Sequence, residues 1–307
     1  MGADAEVSPV IRVDWRVGRH AADADRVQAE LLPEAIAAAG TDRGSRRVAV
    51  SPSLADTRRH GVAAVTRLPA GALRVRGPGV VVPTQDLQRE LQERGEGLAA
   101  QVVVLPFPAP EPLYDWDDTR AVVDVNERYH LEARPRVLAA ADWERGQGLT
   151  RLLPLVRDVL HREGELVLLG ALPHRERIAP LVAHLGLSES VVLLPRVSAR
   201  EAAGLLHGAD VFVQAEDDGF PYWLGWAAAA GLPAVALDRP AAREASGHAA
   251  LMVDPTRADA FSAAVVEALT NLRVRERQIA RGREASAPAR LAHVANQWAR
   301  FLESTFG

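Results

Sequence analysis

From Arg136 onward, short runs rich in aliphatic residues alternate with helix-length amphipathic segments. Nothing else in the sequence narrows the fold as much, because stacked βαβ units around a parallel sheet produce this alternation. Strands are predicted at Arg136–Asp142, Glu165–Gly170, Val191–Pro195, Asp210–Gln214, Pro233–Asp238 and Ala250–Asp254. The run Glu165-Leu-Val-Leu-Leu-Gly170 has no polar alternation, which suits a strand covered on both faces. Helices are predicted over Leu149–Arg162, Arg175–Leu185, Ala199–Gly208, Tyr222–Ala230 and Ala258–Leu272, with Val274–Glu284 and Arg290–Ser304 closing the chain. Leucines and valines at 149, 152, 153, 156 and 160 recur at helical spacing. Ser198 followed three positions later by Glu201 reads as a capping box.

The amino-terminal part is also α/β but less regular. Strands are expected at Val10–Trp15, Arg47–Pro52, Gly61–Leu68, Gly79–Pro83 and Gln101–Leu105, with helices from about Asp25 to Ala39 and at Gln85–Arg94. That is fewer units than a Rossmann domain of usual size carries, so this domain reads as reduced. At 307 residues, two domains are the first expectation. The proline-rich stretch Pro106–Pro112 is a stiff linker by composition, followed by acidic Asp115–Asp118. The expected division is 1–113, 114–290, and a last helix over 291–307 that packs back on the first domain.

Composition excludes several classes of function. There are no cysteines, so disulfides and thiolate metal sites are out, and a reducing cytoplasm fits. The net charge of −4 offers no global attraction to nucleic acid. All 36 basic residues are arginine, which removes Schiff-base chemistry and every lysine contact to phosphate. The start lacks the pattern of a secretory signal, and no apolar run reaches the ~20 residues of a membrane span. HExxH, GxSxG and Walker sequences are absent, no DxD-like pair follows a strand, and no metal site is expected.

A series of consecutive pieces carries a family resemblance. In order they are Val137-Leu-Ala-Ala-Ala-Asp-Trp-Glu-Arg-Gly-Gln-Gly148, Leu166-Val-Leu-Leu-Gly170, Val191-Val-Leu-Leu-Pro-Arg-Val-Ser198 and Gly208-Ala-Asp-Val-Phe-Val213. Asp218-Gly-Phe220, Ala227-Ala-Ala-Ala-Gly-Leu-Pro-Ala-Val-Ala236, Glu244 and Leu251-Met-Val-Asp-Pro255 follow. Together they resemble the donor half of family 4 glycosyltransferases, which are retaining enzymes of the GT-B fold. The resemblance implies an α/β, GT-B-like chain of two Rossmann-like domains, the amino-terminal one reduced. It further implies a nucleotide diphosphate sugar as co-substrate, with no cofactor and no metal.

Residue by residue, the resemblance is incomplete. Where the family holds the diphosphate with an arginine and a lysine, this chain has Ala141 or Asp142 and Gln147. Arg145 and Asp142 are then either a relocated cation beside a repulsive carboxylate, or solvated loop charges. Gly148 belongs to the same loop. In the family's acidic pair, Asp218 takes the sugar-contacting position, while Trp226 falls where a glutamate meets the ribose hydroxyls. Indole offers one donor and no acceptor, so Trp226 either stacks on the donor or packs in the helix that follows. Glu216, Asp217 and Asp218, next to Gly219 and Phe220, either orient sugar hydroxyls or cap that helix. Gly170 and Arg196 at strand ends are further donor-side candidates, and Glu244 is placed near the ribose. Gly18, Arg19 and His20 lie where an acceptor loop is expected, with His20 a candidate acceptor contact.

The resulting expectation is a hexosyltransferase that moves a sugar to a small-molecule or glycan acceptor, with Asp218 orienting the sugar. The alternative is an inactive GT-B-like scaffold or partner subunit. A reduced first domain implies that a second copy or a partner covers its exposed sheet edge.

Overall fold

The computed structural model describes residues 10–15, 27, 30–33, 35–36, 45–51, 61–65, 77–95, 100–140, 147–160, 164–215 and 220–306. The chain forms two compact units, 1–108 with 288–307, and 109–287.

The first unit is built on five parallel strands in sequential order: β1 (Val10–Trp15), β2 (Ser45–Ser51), β3 (Gly61–Ala64), β4 (Gly79–Val82) and β5 (Gln101–Val104). Successive side chains on a strand point to opposite faces, and the core divides accordingly. Val62, Ala64 and Val81 pack with Leu32 and Ile36 and with Val294, Trp298, Phe301 and Leu302 of the carboxyl-terminal helix Leu291–Phe306. Ala63, Val65, Val80 and Val82 face the other way, onto Leu87 and Leu91 of helix α1 (Gln85–Arg94). Thr84 caps α1 by accepting from the Leu87 amide at 3.2 Å. Gly79 sits where a Cβ would lie 2.6 Å from the Phe301 ring, so glycine permits that approach.

The second unit carries six parallel strands: β6 (Arg136–Ala140), β7 (Glu165–Leu169), β8 (Val191–Leu193), β9 (Val211–Gln214), β10 (Ala234–Leu237) and β11 (Leu251–Val253). Their order is β11-β10-β9-β6-β7-β8, so the chain winds outward in one direction from β6 and then returns to wind in the other. The helices are α2 (Thr119–Tyr129), α3 (Gln147–Leu160), α4 (Arg175–His184), α5 (Ala199–His207), α6 (Tyr222–Ala230), α7 (Pro240–Ala245), α8 (Ala258–Thr270) and α9 (Leu272–Ser286). The leucine stripe of α3 enters the core through Leu152, Leu153, Val156 and Leu160, against Leu166, Leu168, Val211 and Phe261. The capping box on α5 is formed in both directions between Ser198 and Glu201.

The amino-terminal edge of this sheet is fixed by a buried polar network. Arg136 donates to Glu165 at 3.0 Å, to Asn126 at 2.9 Å, and to the carbonyls of Gly208 and Glu132 at 3.1 Å each. Both charges are nearly sealed, at 3% and 1% exposure, and the four bonds give the guanidinium the partners that burial demands.

Helix α2 is absent from the sequence expectation, as is the short α7. Only Ala121 and Val125 of α2 are buried, too thin a stripe to stand out from a charged segment rich in β-branched residues. The turn that precedes α2 and the cap Asp118, which accepts from Ala121 at 3.0 Å, start it. Helix α3 begins at Gln147, two residues earlier than expected. The boundary between the units falls inside the proline-rich stretch, after Pro108, and Phe107, Pro108, Ala109 and Pro110 are buried. Among the described residues no helix is long and apolar enough to cross a membrane.

Candidate functional site

A parallel sheet brings the carboxyl ends of all its strands to one edge. Where the winding direction reverses, the loops leaving two neighbouring strands diverge to opposite faces and open a crevice. In the second unit this happens between β6 and β9, which pair through Val137, Leu138 and Ala139 with Val211, Phe212 and Val213. The described strands of the first unit run in sequential order, with no such reversal. The candidate site is therefore at the tips of β6 and β9.

Several described groups stand on this edge. Gln214 ends β9, and its side chain is buried at 3% exposure. Gly170 follows β7 in the left-handed region, φ 72°, a conformation that costs glycine little and a branched side chain much. Its amide donates to the Pro195 carbonyl at 3.2 Å, and the Leu172 amide to the Leu194 carbonyl at 2.9 Å. These bonds tie the tips of β7 and β8 together and fix where Arg196 leaves the sheet, its side chain exposed. Gly148 lies in the first turn of α3, directly beyond the loop from β6.

On the β10 side, Asp238 is gripped by both Nε and Nη2 of Arg243. The hydrogen bonds from Arg243 hold the Asp238 carboxyl below the usual carboxylate range, against an opposing pull from burial. Asp254, at the tip of β11, accepts from the amide and hydroxyl of Thr256 at 2.8 and 2.7 Å, and is likewise lowered. Glu244 lies half-buried on α7. The close passage of α6 and α7 depends on Gly225, where a Cβ would meet the Ala245 carbonyl at 3.0 Å.

Helix α6 starts at Tyr222 with Pro221 as its cap and no side-chain capping bond. The acidic triplet Glu216, Asp217 and Asp218, weighed as a cap for this helix, lies outside the described residues. Trp226, on the second turn, is 5% exposed. Its ring stands edge-on to Tyr222 and Trp223, with centroids 5.1 and 5.0 Å away. Phe220 is half-buried just before this aromatic group. Gly18, Arg19, His20, Arg145, Asp217, Asp218 and Gly219 lie outside the described residues. Of the sequence candidates, Gly148, Gly170, Arg196, Phe220, Trp226 and Glu244 are all on elements that leave or follow strand tips of the second unit.

Gln214 and Arg239 also stand at strand ends on this edge, outside the sequence candidates. A polar residue closing the apolar run Val211-Phe-Val-Gln214 was a usable signal, as was a lone arginine directly after the run ending in Leu237-Asp238. Among the described residues no cluster of His, Asp and Glu is arranged to hold a metal ion.

The family profile described as Glycosyl transferases group 1 matches residues 126–285, just over half of the chain. No curated protein matches in sequence. Among solved structures, a glycosyltransferase from Rickettsia africae aligns with a TM-score of 0.68 at 14% identity, covering 84% of this chain and 76% of the other. Sucrose-phosphate synthase from Thermosynechococcus elongatus aligns at 0.69 and 18% identity, covering 84% and 73%. Anabaena HepE, solved with UDP and glucose, aligns at 0.67 and 12% identity, covering 92% and 83%. At such identities these likenesses speak for the fold alone.

Proposed function

This chain belongs to the Glycosyl transferases group 1 family and has the two-domain, Rossmann-like α/β architecture of GT-B enzymes, and we propose that it transfers a hexosyl unit from a nucleoside diphosphate sugar to a small-molecule or glycan acceptor. The observation that carries the reading is the reversal of strand order at β6 and β9, inside the stretch that matches the family. That crevice takes ligands in open α/β sheets because loops and helix starts converge there.

In the proposed reaction the bond from the anomeric carbon to the diphosphate oxygen breaks, a bond to the acceptor oxygen forms, and the proton of the acceptor hydroxyl passes to the departing diphosphate. The diphosphate leaves with the electron pair, so its growing negative charge is what the protein must stabilise. Asp218 is assigned to orient the sugar, with Arg145 and Arg196 as cationic contacts and Gly148 and Gly170 leaving room for the nucleotide. Likeness to family 4 motifs supports a retaining outcome. HepE, a structural neighbour, was solved with UDP and glucose, which makes UDP-sugars the first donors to try.

A second reading is favoured by Trp226. A buried indole stands where the resembled family has a ribose-binding glutamate, which is what a scaffold or partner subunit that has lost turnover would show.

Thermal shift with UDP-, GDP-, ADP- and dTDP-linked sugars separates the readings. At ~100 times Kd a bound donor stabilises by about 2.7 kcal/mol. For a domain this size, each kcal/mol raises the melting temperature by roughly 2–4 °C. The enzyme reading expects such a rise with one donor class and its loss in Asp218→Ala. No rise with any donor at millimolar concentration supports the scaffold.

A further inference from the structure

We propose that Trp223 is the residue on which the hexosyl group of the donor stacks, an assignment that rests on the β6–β9 crevice being the donor site. β9 and β10 pair in parallel, so α6, which joins them, has to run back across the sheet from its carboxyl edge to its amino edge. Nine helical residues rise about 13 Å, the length of a four-residue strand such as β9. Gly231, at φ 71°, ends the helix, and Ala234 opens β10 at the amino edge. The first turn of α6 therefore stands level with the tips of β9 and β10, on the side of the crevice that the loop from β9 supplies.

Burial singles out one side chain at this helix start. Tyr222, Leu224 and Trp226 are sealed, and Gly225 has no side chain to offer. Trp223 is half-buried, so it is the one side chain from 222 to 226 that keeps a surface toward solvent. Its neighbours hold the ring in place: it lies tilted by 32° to Tyr222 at 5.3 Å and edge-on to Trp226 at 5.0 Å. A ring fixed in this way has little rotamer freedom left to lose when a ligand arrives. The indole N–H is also uncommitted. Trp116 donates its own to the Ala229 carbonyl at 2.8 Å, whereas that of Trp223 makes no hydrogen bond among the described residues and reaches solvent. A pyranose presents an apolar face of C–H groups rimmed by hydroxyls, so the face of an indole and the N–H at its edge match it together. A nucleobase would use the face alone.

The test is titration of the full chain, wild type, Trp223→Leu and Trp223→Phe, with UDP-, GDP-, ADP- and dTDP-linked hexoses and with the free diphosphate of each. Loss of the stacking face and the N–H is expected to weaken binding of the nucleotide sugar by about tenfold in Trp223→Leu, with the free diphosphate unchanged. Trp223→Phe keeps a ring against Tyr222 and Trp226 and removes only the N–H, so it should lose a smaller part of the affinity for the nucleotide sugar, and it reads the assignment even where the leucine variant folds poorly. Unchanged affinity for the nucleotide sugar in both variants overturns the assignment. So does an equal loss for nucleotide sugar and free diphosphate, which marks a contact with the base or a structural role. If the wild type binds none of these ligands, the donor-site reading falls and takes this assignment with it. If the wild type binds and the variants bind equally well, the assignment falls alone.

Discussion

Replacing Trp226 by alanine separates the two roles open to that indole. At 5% exposure the ring is almost wholly removed from water, and it meets Tyr222 and Trp223 edge-on at 5.1 and 5.0 Å. Truncating a buried tryptophan to alanine costs about 3–5 kcal/mol, through lost transfer energy and the cavity left behind. Edge-on aromatic pairs account for about 0.5–1.5 kcal/mol each of such a cost. At roughly 2–4 °C per kcal/mol for a domain of this size, the melting transition of the second unit should fall by about 10 °C. Differential scanning calorimetry of the full chain reads it directly, with a urea titration as a second measure. An indole kept as a stacking platform would instead show a ligand-facing surface in the free protein, and its removal would weaken nucleotide binding with little effect on stability. A fall below about 2 °C combined with lost nucleotide binding would refute the packing argument.

Three further outcomes follow from the same structure. Arg136→Met should lower stability by about 3–5 kcal/mol, because Glu165 is left charged and sealed; urea midpoints check this, and adding Glu165→Leu should restore much of the loss. Gly204→Ala places a Cβ 2.4 Å from the Ala121 carbonyl oxygen, so overpacking between α2 and α5 should outweigh alanine's helical preference and cost about 1–2 kcal/mol net in a denaturant titration. In acid, Asp238 and Asp254 are lowered by their hydrogen bonds to Arg243 and Thr256, and for Glu201 the bonds from Ser198 and Tyr129 outweigh the upward pull of burial. Stability from groups shifted this way is present above the unfolded carboxylate range of ~4 and is lost as pH falls through the lower folded values. The denaturant midpoint should accordingly stay level above about pH 5 and drop below about pH 4, with Asp238→Asn flattening part of the drop.

The second sheet was readable because its strands are apolar on both faces and its helices are long enough to show a stripe. Tyr222–Ala230 coincides with its predicted span, and the strands differ from theirs only by a residue or two at the ends, where the ladder stops before the apolar run does. What was not readable follows a physical pattern. Helix α2 buries too few side chains to leave a period, and α7 has only six residues behind a proline. Strand order is invisible to periodicity, so the reversal at β6 and β9 had to come from the fold or from resemblance. For the site, glycines and charges at strand ends pointed to the carboxyl edge of the sheet, the edge at which its strand order reverses. Whether an arginine there is shielded, as Arg239 is, or exposed, as Arg196 is, depends on neighbours distant in sequence. The same holds for Trp226, whose composition allowed stacking and packing alike until its burial was seen.

The central claim is that a nucleoside diphosphate sugar seats at the tips of β6 and β9. Hydrogen–deuterium exchange on the full chain, with and without the donor that gives the largest thermal shift, tests it most directly. The account predicts slowed exchange in peptides covering 140–150, 169–172, 214–222 and 238–245, with the opposite edge around Arg136, Asp210 and Pro233 unchanged. Protection confined to that opposite edge or to the first unit, with binding demonstrated, would contradict it.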